Sequence, residues 1–255
     1  MNTLFDVSGK TALVTGSSRG IGLALAGGLA DAGVRVVVHG RNRDQVDAAR
    51  SGLEKSGRVE TIAATFDITD PAAVADGIAA IENEWGVLDI LVNNAGIQRR
   101  APFTEFTFTD WNDIVATNLT GAFLVGQQAA RGMVTRGSGK IVNIGSVQSQ
   151  LGRAGIAPYA ATKGGISMLT KGMCADLAVS GIQVNALAPG YFATELTKAL
   201  VADEAFSSWV RTRTPAGRWG DVADLVGTLI YLVSPASDFV NGQTIFVDGG
   251  MTAVV

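Results

Sequence analysis

Two residues able to move a proton, Tyr159 and Lys163, stand four apart in the stretch APYAATKGG, directly after Pro158. Four residues make about one helical turn, so the side chains share a face and a phenol can meet an ammonium. A phenol titrates near pH ~10 and is a poor base at neutral pH, but a nearby cation favours its phenolate. The same spacing suits an ordinary surface pair on an amphipathic helix. The pair becomes chemistry only if the rest of the chain builds a site around it.

A second chemical stretch, TGSSRGIG, occupies residues 15–22, after the apolar run TALVT (11–15) and before a helical pattern. Gly16, Gly20 and Gly22 permit a tight turn and let the backbone approach a diphosphate, which then sits at a helix N-terminus. Ser18, Arg19 and Ile21 lie between them and join the same candidate site. No Lys-Ser or Lys-Thr follows the glycines, which argues against a P-loop ATPase. Sites for NAD usually carry an acid about 20 residues further on, at the end of the second strand. Here that run ends VVVHGRN, with Gly40, Arg41 and Asn42 in its place. A missing carboxylate beside a planar cation suits a 2′-phosphate, and Arg19 adds a second positive charge. The pattern predicts NADP(H) as cofactor.

Composition narrows the remaining classes. Lys and Arg number 20 against 23 Asp and Glu, and no basic cluster marks a nucleic-acid footprint. The lone cysteine, Cys174, allows no intramolecular disulfide and fits a reducing compartment; its setting, KGMCADLAV, reads as packing. The lone histidine, His39, lacks partners for a metal cluster or a Ser–His–Asp triad. MNTLFDVSGK has no basic segment leading into an apolar core, and no apolar run approaches the ~18 residues of a membrane helix. The expectation is a soluble, cytoplasmic protein with no nucleic-acid or membrane partner.

These residues need elements to hold them. Seven short β-branched runs, 11–15, 34–38, 59–66, 88–93, 140–144, 182–187 and 243–248, alternate with longer runs of helical apolar spacing. The helical runs cover 21–33, 43–57, 71–85, 111–137, 159–181 and 222–234, several ending at Gly. Such alternation predicts an α/β fold, a Rossmann-like, doubly wound parallel sheet of seven strands with helices on both faces. No linker divides the 255 residues, so one domain is expected. Residues 191–219 break the rhythm as an insertion after the sixth strand, where ligands of such sheets bind, and are expected to form a substrate lid.

Taken together, TGSSRGIG, NNAG (93–96), Asn118 in VATNLTGAF, Ser146 in NIGSVQS, Tyr159 with Lys163, and APG (188–190) resemble the short-chain dehydrogenase/reductase family in order and spacing, over essentially the whole chain. The resemblance implies that Tyr159 is the proton donor in ketone reduction and the base in alcohol oxidation. Lys163 would lower its pKa and bond the nicotinamide ribose, Ser146 would hold the substrate oxygen, and Asn118 would place a water in a proton relay. It also implies Asp67 and Ile68 near adenine, Asn94, Ala95 and Gly96 along the ribose and diphosphate, and Pro189, Gly190 and Thr194 beside the nicotinamide. Gln148 would join Ser146 and Tyr159 at the substrate.

Within the family, NNAGIQRRAPF, APGYFATEL, RTPAGRWG and FVNGQTIFVDGGM resemble the gluconate 5-dehydrogenases, which implies a sugar acid as substrate and D-gluconate with 5-keto-D-gluconate as the pair interconverted. Helices over 110–136 and 155–179 resemble those through which relatives form homotetramers. Reduction of a 3-oxoacyl thioester or another ketone remains an alternative, as does a nucleotide-sensing protein without catalysis. Arg99 and Arg100, in the loop leaving the fourth strand, are expected to offer one arginine fork to the substrate carboxylate.

Overall fold

A computed structural model describes residues 3–55 and 59–255. The apolar runs become β1 (Thr11–Val14), β2 (Arg35–Gly40), β3 (Thr61–Thr65), β4 (Ile90–Asn93), β5 (Gly139–Ile144), β6 (Ile182–Pro189) and β7 (Thr244–Val247). All pair in parallel, in the order β3-β2-β1-β4-β5-β6-β7. Parallel strands are covered on both faces, which explains why every residue of β1 and of β4 is buried and why their sequences do not alternate. The seven strands and the doubly wound single domain are as the sequence predicts.

The covering helices are α1 (Gly20–Asp31), α2 (Arg43–Lys55), α3 (Pro71–Trp85), α4 (Phe108–Val115), α5 (Gly121–Arg136), α6 (Ala157–Leu177), α7 (Lys198–Ala202), α8 (Glu204–Arg213) and α9 (Val226–Val233). Leu25 and Leu29 of α1 and Leu229 and Leu232 of α9 pack on one side of the sheet. Val74 and Ile78 of α3 and Val125 and Met133 of α5 fill the other. The expected end of α2 at Ser56 and Gly57 lies outside the described residues. Residues 191–219 contain α7 and α8.

One helix departs from expectation. The single run expected over 111–137 is two helices, α4 and α5, joined by a π-helical segment, Ala116–Thr120. A π-turn widens the helix by one residue and is often found at functional positions. Its buried centre is Asn118, whose amide closes on the backbone of Ile97: the Ile97 N–H donates to Oδ1 at 2.7 Å, and Nδ2 donates to the Ile97 carbonyl at 2.9 Å. This clamp fixes the loop after β4 against the α4–α5 junction.

β1 and β4 are neighbours, and from them the chain winds outward in opposite directions. That reversal opens a crevice beyond the carboxyl ends of the strands. A buried polar chain holds α6 over this region: Asn93 donates to Asn143 at 3.0 Å, Asn143 to Thr170 at 2.9 Å, and Thr170 to the Ile166 carbonyl at 2.8 Å. Asn143→Ala leaves Asn93 and Thr170 without these partners, and an unmet buried polar group costs roughly 1–3 kcal/mol. The urea midpoint of the variant is expected to fall accordingly; a midpoint equal to the parent's would dismiss the brace.

Candidate active site

β5 ends at Ile144 and the chain turns through Ser146 into a short 3-10 turn, while α6 brings Tyr159 and Lys163 to the same place. Lys163 is 6% exposed and its Nζ donates to the Ile144 carbonyl at 2.6 Å. The same ammonium lies 5.7 Å from the centre of the Tyr159 ring. Ser149 locks α6 to the turn by donating to the Lys163 carbonyl at 2.8 Å. The pair therefore faces inward, against Ser146, and is no surface pair.

Burial governs both groups. Removal from water pushes the Tyr159 phenol above its ordinary value; a hydrogen bond from Ser146 works against the rise, and the charge of Tyr191 adds to it. Burial likewise pulls the Lys163 ammonium down to about 8. The expected depression of the Tyr159 pKa by Lys163 is not what governs here, because enclosing both groups disfavours two charges at once. The phenol is thus kept protonated at neutral pH, the state of a proton donor. Gln148, also buried, donates its backbone N–H to Ser146 Oγ at 3.2 Å, and its Oε1 is buried with no partner among the described residues. An unmet buried acceptor of this kind is a ready partner for a ligand hydroxyl.

Asn118, expected to place a water, spends its amide on protein partners: Ile97 at both atoms, and Thr162 at 3.3 Å from Nδ2. Thr162 in turn donates to the Tyr159 carbonyl at 2.8 Å. The residue thus connects the β4 loop to the turn of α6 that carries the phenol.

On the other side of the crevice the glycine loop leaves β1. Gly16 has φ +64°, and a Cβ there would meet the Ala95 Cα at 2.9 Å, so only glycine brings the loop this close. Asn94 and Ala95 secure it: Asn94 Nδ2 donates to the Thr15 carbonyl at 2.9 Å, and both backbone N–H groups donate to Thr15 Oγ1. Gly96 abuts Asn118. α1 starts at Gly20 with no side-chain cap and no acid in its first turn, leaving the N–H groups around Ile21 and Gly22 for an anion. A Cβ on Gly20 would meet nothing within 4 Å, so there is room over the loop.

At the end of β2, a Cβ on Gly40 would meet Val46 Cγ2 at 2.9 Å and Ser18 Oγ at 3.3 Å. A side chain there would have to displace Val46, and the exposed guanidinium of Arg41 follows the glycine. Across from it, hydrogen bonds from Thr69 hold Asp67 below the usual carboxylate range, with Arg41 contributing. Ile68 is buried, and Gly121 packs on it. Asn42, expected at the cofactor, accepts from the Gln45 N–H at 3.0 Å through Oδ1 and caps α2. The loop, the free helix terminus and the cations fit a dinucleotide with a 2′-phosphate.

Pro189 ends β6 and Gly190 lies over Asp248; Thr194 is tied to Thr197 through a capping box. Of the two arginines expected at the substrate, Arg99 is occupied elsewhere. Its Nη2 meets Asp113 at 2.7 Å and its Nε meets Asp110 at 3.0 Å, because α4 presents both acids to the loop. Arg100 has no carboxylate partner among the described residues. Its guanidinium is lowered by partial enclosure and by the charge of Arg153, with Tyr191 acting in the opposite sense.

Sequence reasoning missed His39 as a site residue. The Gly16 N–H donates to its Nδ1 at 3.2 Å, Nε2 lies 3.1 Å from the Phe66 carbonyl, and its backbone N–H donates to Ser17 Oγ at 2.9 Å. Nδ1 can accept only in the neutral ring, so Nε2 carries the proton. The imidazole ties the glycine loop to the segment bearing Asp67. Its place at the end of β2, beside the loop, was the available signal.

Residues 10–205 match the family described as short chain dehydrogenase. The chain is 59% identical to the gluconate 5-dehydrogenase of Gluconobacter oxydans (strain 621H), over 98% of this chain and 97% of that protein. It is 51% identical to the 5-keto-D-gluconate 5-reductase of Escherichia coli (strain K12), over the full length of both. The crystal structure of a gluconate 5-dehydrogenase from Burkholderia cenocepacia J2315, in complex with NADP and tartrate, superposes with a TM-score of 0.96 at 55% identity, covering 99% of each chain.

Burial holds His39 at about 4 instead of 6.5. Between these values the unfolded chain binds more protons than the folded one, so stability falls as pH drops from 6.5 towards 4. The shift corresponds to about 3 kcal/mol at full effect. His39→Asn keeps an acceptor near Gly16 but cannot titrate, and its Tm is expected to fall less steeply over this range. Equal slopes would assign the acid response to other groups.

Proposed function

The chain belongs to the short-chain dehydrogenase/reductase family, and we propose that it interconverts D-gluconate and 5-keto-D-gluconate with NADP(H). The observation that carries the reading is the enclosed phenol of Tyr159, hydrogen-bonded to Ser146 and with the Lys163 ammonium 5.7 Å from its ring centre. The named activities of the relatives support the substrate pair, and the NADP held by the Burkholderia enzyme supports the cofactor.

When bound, NADPH supplies the hydride that reduces the ketone carbon. The protein's task is the oxygen. Ser146 hydrogen-bonds the substrate carbonyl, and Tyr159 gives its proton to that oxygen as negative charge gathers there. Lys163, cationic below about pH 8, stabilises the phenolate left behind. Asn118 positions this machinery through Ile97 and Thr162. Gln148 supplies an acceptor to a substrate hydroxyl. Arg100 faces the carboxylate. In the reverse direction Tyr159 must begin as phenolate, which its burial opposes, so alcohol oxidation favours alkaline solution.

Arg41 and Arg19 bind the 2′-phosphate, and Ser18, Ile21 and Gly22 the diphosphate. Asp67 and Ile68 flank the adenine, and Pro189, Gly190 and Thr194 the nicotinamide. The 191–219 segment covers the substrate. Four copies assemble through α5 and α6, whose facing sides carry an apolar groove with the exposed Phe123 and Val134. No helix among the described residues is long and apolar enough to cross a membrane, consistent with a cytoplasmic enzyme. A 3-oxoacyl thioester reductase would share the catalytic set but would have no carboxylate for Arg100 to meet.

A spectrophotometric panel of sugar acids, neutral ketones and acyl thioesters tests the assignment; preference for an acyl thioester would overturn it. Tyr159→Phe should lower turnover by about 10²–10⁴-fold while NADPH binding stays within a few-fold. In the parent, reduction should decline as pH rises through about 8, where Lys163 loses its proton. Undiminished activity in the Phe variant would remove Tyr159 from the chemistry. Arg41→Leu should weaken NADPH binding by about 10–100-fold and leave NADH binding unchanged, because the lost charged hydrogen bond exists only with the 2′-phosphate. Equal effects on both cofactors would refute that role.

A further inference from the structure

Arg153 plays no part in the chemistry above, yet its surroundings are unusual for a loop arginine. Its guanidinium lies 4.5 Å from the centre of the Phe206 ring on α8 and 5.9 Å from that of Tyr191, and its Nη1 donates to the Tyr191 hydroxyl at 3.3 Å. Among the described residues no carboxylate pairs with it. The loop carrying it is joined to the loop carrying Arg100, since the Ala101 N–H donates to the Gly155 carbonyl at 3.2 Å. That bond sets Arg100 and Arg153 on adjoining loops, and neither pairs with a carboxylate among the described residues, whereas Asp110 and Asp113 claim Arg99. Tyr191, in turn, contributes to the upward shift of the Tyr159 phenol, after burial.

We propose that Arg153 and Arg100 form the two arms of a carboxylate subsite, and that Arg153, through its seat on Phe206, transmits the substrate's charge to the 191–219 segment. The proposal rests on the sugar-acid reading and adds a residue to it. Paired cations with no internal counter-ion repel one another, and an anion between them relieves that repulsion as it binds. A planar guanidinium can stack on an aromatic face while its edge donates to a carboxylate, which a lysine cannot do as well. Phe206 stacks on Trp209, and Tyr191 meets Phe206, Trp209 and Trp219 edge to face, so the arginine reports to the whole segment. Trp219 is itself fixed by donating to Ser207 of α8 at 2.8 Å.

The test compares tartrate with threitol, which has the same carbon skeleton without charge, as inhibitors competing with the ketone. In the parent, tartrate should bind more tightly than threitol. Arg153→Gln should weaken tartrate by about 10–100-fold, raise KM for 5-keto-D-gluconate to a similar extent, and change threitol by less than about 3-fold. Arg153→Lys should recover part of the loss. Phe206→Leu, which keeps an apolar seat but no ring face, should weaken tartrate several-fold and leave threitol unchanged. Equal losses for both inhibitors, or no loss for tartrate, would overturn the subsite. If the parent reduces only neutral ketones or thioesters but Arg153→Gln still abolishes tartrate selectivity, the sugar-acid reading fails and the subsite stands.

Discussion

A charged lysine inside a protein is stable only where something repays the loss of water. Lys163 has the Ile144 carbonyl at 2.6 Å and the Tyr159 ring nearby, and much of the architecture can be traced to keeping those two in place. The carbonyl is available because β5 ends there and the chain turns away towards Ser146. The ring is available because α6 opens at Ala157 with Pro158 in its first turn, one residue before it. Ser149 then ties the turn to α6, and the Asn93–Asn143–Thr170 chain ties α6 to the sheet. Shift any of these by an ångström and the ammonium is left with an empty contact in a dry place.

The clamp between Asn118 and Ile97 performs the same service from the opposite wall. An ordinary helix through 111–137 would carry residue 118 round to another direction. The π-turn spends one residue without a regular hydrogen bond, and the asparagine amide, bonded at both ends, offsets that irregularity. The irregular backbone and the side chain that justifies it are a single feature.

The fold was legible because its signals are local. Each strand is a short apolar run, each helix a period of apolar residues, and their alternation leaves few topologies. The Ser146, Tyr159 and Lys163 set was legible because chain order and spacing carry it. What escaped depended on distances between remote segments. Nothing near Arg99 in sequence tells that Asp110 and Asp113, a helix away, will claim it. Asn42 has a capping role that only the start of α2 reveals. The π-turn was invisible because apolar periodicity tolerates one extra residue. His39 looked inert for want of metal partners, although its bonds to Gly16 and Phe66 span three strands' ends.

Crowding at Gly40 has a consequence for how coenzyme preference can change over time. Val46 belongs to the core beneath α2 and Ser18 to the loop above β1, so a side chain at position 40 presses on both at once. Acquiring an acid there requires Val46 or the glycine loop to give way, so the change is coupled to repacking beneath α2. Loss of the exposed Arg41 disturbs neither, and coenzyme preference is therefore more easily altered by removing the cation than by installing the acid.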